Sequence, residues 1–288
     1  MVVLVTGANG QLGQSMQFIA NNYLEIDFKF CDSKTLDITN LENIQNIFNK
    51  FKPQFCVNTA AFTAVDKAES EPEKAFAVNA SGPKNLAKVC KEYNTTLIHI
   101  STDFVFDGTA TIPYLEADNT NPKSVYGQTK LDGEKAIQAI LDKHIIIRTS
   151  WVYSQFGNNF LKTMLRLGLE KESLSVVNDQ IGTPTNAVDL ANAIIKIISL
   201  CCLVSPSEVR RLFGIYNFSN EGQCSWFDFA KKIFEVNNIN IDLKPILTSA
   251  YPTPAKRPAF SVLDKSKIKS VFEIEIKNWD DSLKTVTS

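Results

Sequence analysis

The sequence predicts an α/β fold, a doubly wound parallel sheet followed by a smaller C-terminal lobe. Three observations lead there. The apolar run Val2–Thr6 is followed at once by glycines at 7, 10 and 13 and then by a helix-like segment. Further apolar runs of the buried-strand type alternate with amphipathic stretches as far as about residue 150, the pattern of a parallel sheet with helices on both faces. Beyond about residue 155 the alternation loosens, and prolines gather in Tyr251-Pro-Thr-Pro-Ala-Lys-Arg-Pro258. We expect the sheet domain to occupy 1–154, with a returning segment near 174–200, and the second lobe to occupy 155–288.

Taken in order, Val2–Thr6 is a strand buried on both faces, and QSMQFIANNY at 14–23 is the first helix. Between them, Gly7-Ala-Asn-Gly10-Gln-Leu-Gly13 permits a tight turn, a close approach of backbone to a pyrophosphate and close helix-on-strand packing. The helix N-terminus then offers its N–H groups to the phosphates. Any strand-to-helix turn can use glycine, but strand, glycines and helix together are the signature of a Rossmann-type dinucleotide site. The second strand, Ile26–Cys31, ends at Asp32, nineteen residues after Gly13, about where an acid meets the adenosine ribose hydroxyls. The alternative is that Asp32 caps the following turn. Thr39 or Asn40 caps the helix LENIQNIFNKF, and Pro53 closes it.

Phe55–Thr59 is the third strand and leads into Ala60-Ala61-Phe62-Thr63. Small residues there let a cofactor lie against the backbone, or simply pack tightly. The stretch 71–93 reads as one helix carrying Asn79, which either bonds backbone and water or is solvated. Thr96–Ser101 is a buried strand in which His99 reads as a packed core histidine, and 103–122 is a long polar loop. A helix over 124–142 follows, then the strand Ile145–Thr149, continued by Ser150-Trp151-Val152-Tyr153. A further helix starts at Asn158 and Asn159. Residues 174–194 read as a strand, a turn at Gly182–Pro184 and a return helix, 214–219 as a short strand, and SWFDFAKKIFEVNN as a helix capped by Ser225.

Composition narrows the partners. The net charge is −1 with both signs mixed along the chain, so no basic block exists to grip nucleic acid or an anionic membrane, and neither is expected as a partner. Six cysteines without a C-x-x-C and only two histidines argue against a zinc centre. With no secretory n-region before VVLVTG, reduced thiols and a cytoplasmic location are expected. The apolar run 193–204 is interrupted by Lys196 and is too short to span a bilayer.

The chemistry is carried by Tyr126 and Lys130, which a helix over 124–142 places at i and i+4 on one face. An ammonium beside a phenol favours the phenolate and brings a group with a pKa near ~10 towards neutrality, making an acid able to give a proton at pH 7. A bare Tyr-x-x-x-Lys equally suits a surface aromatic and a solvated lysine. Order along the chain favours the chemical reading, because a glycine turn and then the hydroxyl of Thr102 after a later strand precede the pair. Gly7, Asp32, Ala60 and Thr102 all follow strand ends, so they should share the rim where open α/β sheets bind ligands.

Nine segments now point to a family: GANGQLG at 7–13, LDITN at 36–40, NTAAFTAVDKAE at 58–69, STDFVFDG at 101–108, YGQTKLDGE at 126–134, RTSWVY at 148–153, GNNFLKTMLRL at 157–167, DQIGTPT at 179–185 and RPAFSVLD at 257–264. Together they resemble the extended short-chain dehydrogenase/reductases, in particular the branch that reduces the C4 ketone of dTDP-4-dehydro-L-rhamnose. The resemblance implies a dTDP-sugar substrate and NADH or NADPH as cofactor. It makes Thr102, Tyr126 and Lys130 catalytic: Tyr126 protonates the forming alkoxide, Thr102 bonds the same oxygen, and Lys130 lowers the Tyr126 pKa and holds the nicotinamide ribose. It assigns cofactor contacts to Gly7, Asn9, Gly10, Gln11, Leu12, Asp32, Asp37, Ile38, Ala60, Ala61, Thr63, Asn79, Tyr126 and Lys130. Substrate contacts fall to Val65, Thr102, Asp103, Tyr126, Trp151, Asn159 and Arg257; for Arg257, a bond to the diphosphate and a pairing with a surface carboxylate weigh equally.

NADH is expected over NADPH. The Asp32 carboxylate would repel a 2′-phosphate by roughly 4 kcal/mol at ~4 Å, although Lys34 works against this. Some relatives bridge two subunits through magnesium held by glutamates, one of which aligns with Ser15; serine is a poor ligand for that ion, so no metal site is expected. A homodimer is one option for an assembly the sequence leaves open. Related dehydratases carry an acid after the Thr-Asp pair where this chain has Phe104. The regulatory subunit of methionine adenosyltransferase is similar too, which leaves a non-catalytic binding protein as the alternative.

Overall fold

The computed structural model describes residues 1–287. Six parallel strands form its main sheet. β1 (Val2–Thr6), β2 (Asp27–Cys31), β3 (Phe55–Asn58), β4 (Thr96–Thr102) and β5 (His144–Thr149) are joined by the strand Gly214–Asn217. The order across the sheet is Gly214–Asn217, β5, β4, β3, β1, β2. Side chains alternate between its faces. Val3, Val5, Ile98, Ile145 and Ile147 pack on one side with Leu12, Met16 and Ile19 of α1 (Gln11–Ala20) and with Leu190, Ile194 and Ile198. Leu4, Cys56, Leu97 and Ile146 pack on the other with Ile44 and Phe48 of α2 (Leu41–Phe51). The doubly wound arrangement follows from strands that are apolar on both faces.

Several boundaries differ from the sequence reading, each for a local reason. The helix α1 begins at Gln11 instead of 14, with Gly10 as N-cap, because Leu12, Met16 and Ile19 form the buried stripe. The edge strand β2 starts at Asp27, and its Phe28, Lys29 and Phe30 are only half-buried. Asn40, not Thr39, caps α2 by accepting the Asn43 N–H. The stretch 71–93 is not one helix. After α3 (Val65–Ser70) come α4 (Pro72–Phe76), a π-helical turn Ala77–Ser81 and α5 (Gly82–Glu92). The π turn brings buried Asn79 inward just before Gly82-Pro83, residues unsuited to a helix interior.

The helix α6 (Val125–Ile140) has Ser124 as its N-cap, its hydroxyl accepting the Gly127 N–H. Beyond β5, α7 (Phe160–Glu170) packs with the helix Trp226–Val236 around Tyr153, Leu161, Met164, Phe229 and Ile233, a separate apolar core. A small parallel pair, Ser173–Val177 with Asp242–Ile246, flanks it. Between these segments α8 (Ala187–Leu203) returns to cover α1. Among the described residues, no helix is long and apolar enough to cross a membrane.

Candidate active site

The strand order turns back at β1, with β2 on one side and β3 on the other, and open sheets bind ligands in the crevice beyond such a reversal. The chain is drawn tightly together there. Gly7 has φ +65°, and a Cβ on it would stand 2.6 Å from the Ala60 nitrogen; one on Gly13 would stand 2.5 Å from the Gly7 carbonyl oxygen. Glycine is therefore required at both positions. The first N–H groups of α1, those of Gln11, Leu12 and Gly13, lack carbonyl partners within the helix, so turn and helix form a cradle that fits a pyrophosphate. The Leu12 side chain is buried in the core, leaving only its backbone for a ligand.

Around the cradle, several residues meant for a cofactor hold the protein itself. Asp32 Oδ1 accepts from the Lys34 and Thr35 N–H groups and from the Thr35 hydroxyl, while Oδ2 accepts from Asn9 Nδ2 at 3.1 Å. The turn-capping alternative for Asp32 is thus realised, and these bonds hold its carboxyl below the usual range. Asp37 caps Thr39 in the same manner, and Ile38 is buried against Gly82. Asn79 is buried, with its amide clamped on both backbone groups of Phe62, at 2.8 Å and 3.1 Å, which orders the Ala60–Thr63 loop. Ala61 is half-buried and Thr63 exposed on that loop. Gln11 Oε1 accepts from Asn159 Nδ2 at 2.9 Å and from the Ser154 hydroxyl, tying the glycine turn to the start of α7. Asn159 also caps α7 through the Lys162 N–H. Ser15 turns its hydroxyl back to Gln11 O.

The end of β4 and the first turns of α6 bring Thr102, Asp103, Tyr126 and Lys130 together. Thr102 Oγ1 donates to Asp103 Oδ1 at 2.9 Å and accepts the Phe104 N–H. Among the described residues Asp103 Oδ2 is buried without a hydrogen-bond partner, although the nearby Ser261 hydroxyl acts on the carboxyl. Burial pushes the Asp103 carboxyl up to about 6 against the pull of the Ser261 and Thr102 hydroxyls. The Tyr126 ring packs edge-on against Phe104, and burial pushes its phenol up to about 12, with the Thr102 hydroxyl pulling down and Asp103 pushing up. That departs from the expected lowering by Lys130. The buried Lys130 ammonium instead donates to Ile100 O at 2.6 Å, with His99 Nε2 at 3.4 Å, and burial pushes it down to about 8 although Glu134 favours its charge.

Two residues beyond β5, Trp151 adopts φ +47° and stacks on Trp226 with centroids 3.6 Å apart. Gly182 lies so close that a Cβ there would be 2.6 Å from the Trp151 ring. Arg257 makes a two-pronged ion pair with Asp66, at 2.9 Å and 2.8 Å, one residue beyond the half-buried Val65 at the start of α3. For Arg257 the carboxylate pairing is the one found. Two features escaped the sequence reading. One is Trp226, 75 positions from its partner in a different segment. The other is the buried pair of Arg148 with Glu134, at 3.0 Å and 2.7 Å, to which the Ser101 hydroxyl adds a third bond. An arginine inside the apolar run of β5 was the available signal, since a buried charge needs a partner.

Comparison with known proteins agrees with the geometry. Residues 1–288 match the family model described as RmlD substrate binding domain. The dTDP-4-dehydrorhamnose reductase of Aggregatibacter actinomycetemcomitans is 40% identical, covering 99% of this chain and 97% of the relative. The chain belongs to the dTDP-4-dehydrorhamnose reductase family. Another relative in that family, from Escherichia coli K12, is 40% identical over 99% of this chain and 96% of its own length. Among solved structures, the family member from Clostridium acetobutylicum is 41% identical with a TM-score of 0.92, covering 99% of this chain and 98% of that one. The Bacillus anthracis enzyme, solved in complex with NADP, is 39% identical with a TM-score of 0.93 and the same coverage. A UDP-glucose 4-epimerase from Thermus thermophilus, 19% identical with a TM-score of 0.82, shares the fold alone.

Proposed function

We propose that this protein reduces the C4 ketone of dTDP-4-dehydro-L-rhamnose to dTDP-L-rhamnose, as an oxidoreductase of its family. The observation that carries the reading is the gathering of Thr102, Tyr126 and Lys130 at the end of β4 and the start of α6, in a chain related to such reductases over its full length. A bound NADH or NADPH would supply the hydride to C4. Tyr126, protonated throughout the neutral range, gives its proton to the oxygen as charge develops there. Thr102 steadies that oxygen when its hydroxyl turns away from Asp103, and the buried Lys130 supplies positive charge and donors for the ribose. Trp151, backed by Trp226, offers a flat apolar wall to the sugar, and Arg257 stands at the diphosphate end.

We read NADH as the preferred cofactor because the Asp32 carboxylate stands at the rim near Asn9, although its turn bonds narrow the margin. A cytoplasmic location and a homodimer complete the proposal. Phe104 in the place of an acid favours simple reduction over dehydration. Incubating the protein with NADH and the keto sugar, with absorbance followed at the nicotinamide band and the product identified by NMR, tests the reading. Turnover to the rhamnosyl nucleotide is expected, and tight cofactor binding without turnover would establish the non-catalytic alternative. Tyr126→Phe should bind cofactor normally and lose roughly 10²–10⁴-fold in kcat, the range for a positioned proton donor.

A further inference from the structure

Among the described residues, the Lys130 ammonium faces two polar groups at bonding range, the Ile100 carbonyl and Nε2 of the fully buried His99. Which hydrogen stands on that nitrogen is decided on the far side of the ring. The Thr6 hydroxyl and the Ala60 N–H donate to Asn58 Oδ1, at 2.6 Å and 3.2 Å. The Ala60 N–H can only donate, and it lies nearer the Asn58 side chain, at 3.2 Å, than the Thr6 hydroxyl oxygen, at 3.4 Å; the Asn58 oxygen therefore faces it, and the Asn58 NH₂ faces His99 Nδ1 at 2.9 Å. His99 Nδ1 therefore accepts, and the neutral ring carries its hydrogen on Nε2, pointing at Lys130. An ammonium has only hydrogens to present to that N–H, whereas a neutral amine presents a lone pair.

We propose that His99 is a positioning residue for Lys130: its Nε2–H, oriented by the Thr6–Asn58 chain, confines Nζ to the Ile100 carbonyl and loosens the proton that Lys130 holds. This rests on the reading of Lys130 as part of the reducing site. The other charged groups around α6 leave His99 that influence. Glu134, one turn along, favours the ammonium, but both its oxygens are engaged by Arg148 of β5. Asp103 lies beyond Tyr126, at the end of β4. On α3 and its C-terminal flank, Asp66 is paired with Arg257, Glu69 accepts the Val125 N–H, and Glu71 is paired with Lys67 and with Lys74 of α4. Burial and the Lys130 charge hold His99 well below the usual histidine value, in keeping with a ring that stays neutral.

The chain has two histidines, and His144 is only half-buried, so ¹⁵N-histidine NMR reads His99 directly in the intact protein. The expected result for His99 is an Nε2–H tautomer that does not titrate between about pH 6 and about pH 9. A hydrogen on Nδ1 would overturn the proposal. NMR of ¹³C-labelled lysine then follows Lys130. In His99→Gln the amide oxygen can turn to accept from the ammonium, so the Lys130 midpoint should rise by about one pH unit, a tenfold change in the ammonium-to-amine ratio. The alkaline limb of kcat/KM should rise with it. Asn58→Asp, which invites a proton onto Nδ1 and frees the Nε2 lone pair, should shift both readings the same way and serves if His99→Gln does not fold. An unmoved Lys130 midpoint in the folded variant would overturn the proposal. Wild-type kcat in Lys130→Met would instead overturn the catalytic reading beneath it.

Discussion

Two acidic groups at the residue scale owe their protonation to burial more than to each other. Tyr126 is pushed up to about 12, so its phenol stays a proton donor across the neutral range, and an alkaline fall in activity should report Lys130, near 8. Asp103 is pushed up to about 6 with one oxygen buried and unpartnered. Its folded pKa lies above the unfolded value of ~3.9, so the native state binds its proton more tightly than the unfolded chain does. That contribution to stability is fully present below about pH 4 and is lost as pH rises through about 6. Asp103→Asn should accordingly be more stable than wild type at pH 8, by roughly 3 kcal/mol, and lose that advantage by about pH 4. Urea unfolding at the two pH values measures it, and a pH-independent difference would mean that Asp103 titrates as an ordinary carboxylate.

Among the elements, the helix α6 is anchored to the sheet by one buried ion pair. Glu134 and Arg148 are 0% and 3% exposed, and Ser101 of β4 bonds the same carboxylate, so the network joins α6, β4 and β5 directly beneath Tyr126 and Lys130. Arg148 also donates to Glu116 O and lies 5.1 Å from the Phe106 ring, which holds the loop after β4. Deleting one partner strands the other charge in the core. Glu134→Ala should cost about 3–5 kcal/mol in urea unfolding, whereas replacing both partners by apolar residues of similar volume should recover much of that loss. If the double replacement were as unstable as the single one, the pair would be stabilising in its own right.

Across the whole molecule, distant segments are joined by a few side-chain contacts. Asp66 and Arg257 clasp α3 to the proline-rich stretch, Gln11 meets Asn159, and Trp151 stacks on Trp226. The Asp66–Arg257 pair is partly solvated, so Arg257→Lys should change stability by less than about 1 kcal/mol. A lysine cannot reproduce a two-pronged guanidinium contact. On the proposed contact of Arg257 with the diphosphate, KM for the keto sugar should rise several-fold while kcat changes little; an unchanged KM would leave Arg257 the clasp alone.

What the sequence by itself determined is local in origin. Alternating apolar runs specify strands and their two buried faces, the glycines at 7 and 13 specify a turn that no Cβ can enter, and i, i+4 spacing puts Tyr126 and Lys130 on one face of α6. The family resemblance was legible because those local signals recur in order along the whole chain. Tertiary structure decided the partners. Whether Asp32 caps a turn, whether Arg257 meets a carboxylate and whether Lys130 tunes Tyr126 or faces His99 each depend on groups brought together by the fold. The strand Asp242–Ile246 escaped for the same reason, since it is mostly exposed, holds a proline and is recognisable only by its pairing with Ser173–Val177. Electrostatic roles followed burial, and burial is a property of the packed chain: a carboxyl, a phenol and an ammonium that look ordinary in sequence are each displaced once water is removed from around them.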